Sequence, residues 1–72
     1  MITFTQITKY GCKEFKEMAN KIANIHMEVW EIDSRKAKKR AAEDLNDYSK
    51  TDFRIQKWIA EVELNMTLSV LR

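Results

Sequence analysis

The sequence predicts an all-α fold, a small three-helix bundle, on three observations. It contains no proline and a single glycine, Gly11, in 72 residues, so the punctuation of a strand-rich fold with many tight turns is missing. Phe15, Met18, Ile22, Ile25, Val29 and Ile32 recur at spacings of 3, 4, 3, 4 and 3, which keeps them in one narrow stripe on a helix. The polar joints after that stripe carry Asp and Ser, whose side chains accept hydrogen bonds from the free N–H groups that open a helix.

Along the chain, Ile2 and Phe4 alternate with Thr3 and Thr5, a period of two that suits a strand. The first helix is expected over 13–31, with its stripe turned inward. Asp33 or Ser34 then caps a second helix over 34–48. Its Ala37, Ala41, Leu45 and Tyr48 share one side with Ala42 beside them, a face of small residues that admits a close neighbour. In the next joint Ser49 stands three residues before Asp52, with Thr51 as a competing cap. The third helix, over 52–70, turns Ile55, Trp58, Ile59, Val62 and Met66 inward.

The two ends leave an alternative open. Leu64, Met66, Leu68 and Val70 alternate with Asn65, Thr67 and Ser69, so a short terminal β-ribbon pairing the ends competes with helix. An isolated pair of strands is marginal, and no breaker interrupts Arg54 to Arg72, which favours one long helix. If that end is helical, Leu64, Leu68 and Leu71 form an apolar face apart from the inward one. Residues 1–10 or a second copy of the chain are expected to cover it.

A chain this short forms one domain, residues 1–72, near the lower limit for a core without staples, so homodimerisation is open. Charged residues make up 33% of the chain but the net charge is only +2, which describes a solvated surface of mixed sign and does not force a nucleic-acid reading. Cys12 is the only thiol, which excludes an internal disulfide and fits a reducing, cytoplasmic setting. The segment from Met1 to Tyr10 interrupts its apolar residues with threonines and a lysine. It therefore reads as neither an export signal nor a membrane span, and no membrane partner is expected.

Catalytic chemistry finds little to work with. His26 is the only histidine and has no evident acid or nucleophile beside it in sequence. It reads as a boundary residue between Ile22 and Trp30. Cys12 precedes a helix, where a thiol can be activated, but no base is identifiable. Carboxylates lie in mixed pairs such as Lys13-Glu14, which read as solvated helix faces. One glycine cannot build a phosphate cradle, and one cysteine and one histidine cannot build a structural zinc site. No enzyme activity, metal or cofactor is expected.

Binding is better served. Arg35, Lys36, Lys38, Lys39 and Arg40 place five cations in six positions on the opening turns of the second helix. There the helix dipole disfavours each exposed cation by about 0.3–1 kcal/mol. Lys39 with Glu43 and Arg40 with Asp44 offer partial relief at i,i+4. A local rule broken without structural gain points to recognition of an anion. The expected function is a regulator or inhibitor that binds a protein partner through these cations, with Trp30 as an apolar anchor. Two alternatives stand beside it. The same cations could neutralise nucleic-acid phosphates, although Glu43, Asp44 and Asp47 follow at once and the pI of about 8.8 falls short of the usual range. The chain could also be a structural homodimer.

Overall fold

A computed structural model describes residues 1–71. Four helices account for most of them: α1, Phe4–Tyr10; α2, Lys13–Trp30; α3, Ser34–Tyr48; and α4, Phe53–Val70. The all-α class stands, with four helices in place of three. No strand forms among the described residues, so the terminal β-ribbon is corrected.

The reason lies at the N-terminus. Thr3 Oγ1 accepts the Gln6 N–H at 3.2 Å while Gln6 Oε1 accepts the Thr3 N–H at 2.9 Å, a reciprocal capping box that starts a helix. The helix then turns Ile7 into the core, and Ile2, ahead of the cap with its backbone held by Asn46, is buried beside it. Burying each is worth about 1.5–3 kcal/mol, more than the roughly 0.7 kcal/mol that Thr5 or Thr8 costs a helix. Alternation over residues 2–5 is too short to outweigh this.

α1 ends at Gly11, whose N–H bonds the Ile7 carbonyl at 2.8 Å. A Cβ on Gly11 would stand 2.6 Å from that carbonyl oxygen. With φ at −81°, the glycine is needed for space and not for a left-handed backbone. α2 ends at Glu31, which does adopt the left-handed conformation, φ 51° and ψ 37°. Asp33 caps α3 by accepting the Lys36 N–H at 2.8 Å, and Asp52 caps α4 by accepting the Arg54 and Ile55 N–H groups. The carboxylates prevail over Ser34, Ser49 and Thr51 because a charged acceptor also meets the positive end of the dipole. Ser49 instead closes α3, and its hydroxyl donates back to the Asn46 carbonyl at 2.6 Å.

The three-residue joint between α2 and α3 makes them an antiparallel hairpin. Ala19 and Ala23 of α2 are buried with Ala37, Ala41 and Leu45 of α3, and these small side chains let the two backbones approach closely. The main core joins Phe15, Ile7, Leu45, Ile55 and Val62, with Ile2 beside them. Phe15 stacks on Trp58 with ring centroids 5.4 Å apart. The inward face foreseen for α4 is realised: Ile55 and Val62 are buried, and Trp58, Ile59 and Met66 pack partly buried against them.

Two asparagines strap α1 in place. Asn46 accepts the Ile2 N–H at 3.3 Å and donates to the Ile2 carbonyl at 2.9 Å, while Asn65 donates to the Tyr10 carbonyl at 3.0 Å. At that second strap the Tyr10 phenol is held below its ordinary pKa, chiefly by its hydrogen bond with Ser69.

The stripe on α2 divides. Phe15 is buried and Met18, Ile22 and Ile32 are half-buried, but Ile25 is 57% and Val29 63% exposed. α3 settles on the adjoining alanine strip, where it can come closer, so Ile25 and Val29 are left uncovered while Ile32 packs against that strip. Tyr48, expected on the inward side of α3, is exposed for the same reason. At the C-terminus Leu64, Leu68, Val70 and Leu71 are exposed, because α1 covers the opposite side of α4.

The molecule measures 40 × 26 × 19 Å. An 18-residue helix is only about 27 Å long, so the hairpin and α4 are offset end to end. No helix among the described residues is long and apolar enough to cross a membrane.

Candidate binding site

α3 opens with its cations on the surface: Arg35, Lys36, Lys38, Lys39 and Arg40 are all exposed, with Ala37 buried among them. Helical periodicity splits the five. Arg35, Lys38 and Lys39 face the start of the chain and line a cleft of about 370 Å³, whereas Lys36 and Arg40 lie off it. The cleft has an apolar floor of Met1, Ile2, Phe4 and Ala42, with Thr3, Thr5 and Glu43 completing the wall. Lys38 Nζ stands 5.6 Å from the centre of the Phe4 ring. That cation–π contact is worth about 0.5–1 kcal/mol when exposed and holds the ammonium over the floor.

The relief foreseen from Lys39 with Glu43 and Arg40 with Asp44 does not form. None of the five cations makes an ion pair among the described residues, and Asp44 is engaged by His26, Nε2 to Oδ2 at 2.7 Å. An exposed ion pair contributes only tenths of a kcal/mol, while a half-buried imidazole left without an acceptor costs about 1–3 kcal/mol. The histidine therefore wins the carboxylate. Arg35 and Lys36, in the first turn, also meet the positive end of the dipole with no acidic residue beside them in that turn.

Trp30 ends α2 with 61% of its surface exposed. It stands outside the cleft walls, so the structure does not bring it together with the cations there. Sequence reasoning missed the apolar floor, because the period of two over Met1 to Thr5 suits a strand paired with the C-terminal segment and not a helix start beside α3. The Thr3-x-x-Gln6 pattern was the signal for a helix start at that place.

Cys12 is the N-cap residue of α2, half-buried, and its side chain makes no capping hydrogen bond. His26 lies fourteen residues along the same helix, about 20 Å away at 1.5 Å per residue, too far to act as a base for the thiol. His26 Nδ1 is buried without a partner. No group of three potential metal ligands occurs among the described residues.

The arrangement suits recognition by charge and shape. A concave apolar floor with three cations and one carboxylate, Glu43, in its wall complements an apolar side chain flanked by carboxylates, and the volume lies at the small end of ligand-binding clefts, about 300–1,000 Å³. No family model matches this sequence, and no match to it was found among curated proteins or among solved structures.

Proposed function

We propose that the protein is a non-enzymatic binding module, a regulator or inhibitor in a reducing cytoplasm, that docks an acidic segment of a protein partner in the cleft between the N-terminal residues and α3. One observation carries the reading: Arg35, Lys38 and Lys39 surround an apolar floor without a carboxylate partner of their own. Arg35, in the first turn of α3, opposes the helix dipole, and an anionic partner offsets that cost. In this reading the partner's carboxylates meet Arg35, Lys38 and Lys39 while an apolar side chain enters over Ile2 and Phe4. Lys36, Arg40 and Trp30 act outside the cleft, the cations by steering approach and the indole as an outer contact.

The test compares affinity capture by the wild type and by Lys38→Glu/Lys39→Glu, with nuclease-treated and untreated lysate side by side. Circular dichroism serves as the control for folding. The double reversal is expected to lose the captured protein while keeping its helicity. Capture that survives the reversal refutes the reading. Capture abolished by nuclease replaces it with the nucleic-acid alternative, whose affinity must fall with salt by about 0.9 log units per log unit for each phosphate neutralised.

A further inference from the structure

We infer that the exposed row on α2 is the seam of an antiparallel homodimer. The row consists of Met18, Ile22, Ile25 and Val29; the last two are more than half exposed, while Met18 and Ile22 are half-buried and give only their outer edges, since they also pack against the core of their own chain. Spacings of 4, 3 and 4 are those of a helix that packs against another helix along one seam. α3 occupies the neighbouring strip of α2, and nothing within the chain covers Ile25 and Val29.

Charges beside the row decide the occupant. When two copies of α2 run antiparallel about a two-fold axis, Ile22 of one meets Ile25 of the other and Met18 meets Val29. In that register the residue preceding Ile22 lies beside the residue three after the partner's Ile25. Those residues are Lys21 and Glu28, so the two-fold axis creates two Lys21–Glu28 pairs, one on each side. Both side chains are exposed, and neither makes an ion pair within the described residues. A parallel arrangement loses this match, because the residue following Ile25, which would then oppose Lys21, is His26, already held by Asp44 on the side facing α3. The row is thus self-complementary in shape and charge in the antiparallel sense.

The seam shares no residue with the cleft, and the dimer stands or falls independently of the proposed partner. Four side chains per chain form a small interface beside the roughly 800 Å² per partner of stable complexes, so dissociation in the micromolar range is expected.

Sedimentation equilibrium from about 1 to about 500 µM brackets such an affinity. The mass is expected to rise with concentration from the 8.6 kDa of one chain to twice that value. Ile25→Lys should hold the mass at one chain with its helical circular dichroism unchanged. Lys21→Glu and Glu28→Lys each place like charges opposite one another at both pairs, and each should weaken association about tenfold. An equimolar mixture of these two variants restores opposite charges at both pairs and should dimerise as the wild type does. That mixture guards against misfolding, because a misfolded variant would not be rescued by its complement. A wild type that stays at one chain mass across the range, or a mixture no tighter than its components, overturns the inference.

Discussion

The cations that open α3 should make the isolated protein less stable than its fold allows, and Lys36 exposes that cost away from the cleft. Lys36 occupies the third position of α3, where its own N–H is already held by the Asp33 carboxylate at 2.8 Å, and it lies off the cleft. Replacing it with glutamate removes a cation from the positive end of the dipole, worth about 0.3–1 kcal/mol, and adds an anion there, worth about the same again. It also completes a capping box, since the introduced carboxylate reaches back to accept the Asp33 N–H. The sum is about 1–2 kcal/mol. At roughly 4–8 °C per kcal/mol for a domain of this size, Lys36→Glu should melt about 4–16 °C higher than wild type. The assay is thermal unfolding by circular dichroism at low salt, about 10 mM, and again at about 0.5 M, where screening should shrink the gain. Capture of the partner should persist, since Lys36 lies off the cleft, but form more slowly, since one steering charge is reversed. A variant no more stable than wild type at low salt refutes the argument that α3 bears an electrostatic cost.

Two further outcomes follow from packing and hydrogen bonding. Gly11→Ala should destabilise by about 1–3 kcal/mol, read as a lower melting temperature, because its Cβ would press on the Ile7 carbonyl at 2.6 Å and loosen the α1–α2 joint; an unchanged melting temperature would show that the joint gives freely. Asp44→Ala strands His26 Nε2 and should cost about 1–3 kcal/mol, whereas His26→Leu/Asp44→Ala removes both partners and should recover most of that loss, and a double variant as unstable as the single one would assign the effect to packing around α3 instead.

Much of the helical layout was legible from residue order. The periodic stripe, the carboxylates at Asp33 and Asp52 and the want of breakers are local signals, and α2, α3 and α4 begin and end within about two residues of the expected limits, the usual spread of helix boundaries. The first ten residues were less legible because two signals compete over a short segment. The alternation of Ile2 and Phe4 points to a strand and the Thr3–Gln6 box to a helix, and the box prevails. The cationic half of the cleft was likewise visible as five charges in six positions. Its apolar half was not, because it depends on where Asn46 holds the backbone of Ile2, a contact spanning 44 positions.

By itself the sequence determined the helical class, the Asp33 cap and the cluster of cations, since each rests on interactions among residues a few positions apart. Tertiary structure decided which side of each helix became dry. On α2 the larger stripe was the better hydrophobic surface, yet α3 packed on Ala19 and Ala23, because small side chains allow the closest approach of two backbones. That choice left Ile25 and Val29 in solvent and turned Asp44 from Arg40 to His26. Such outcomes depend on the competition among all neighbours for the same surface, which no local pattern records.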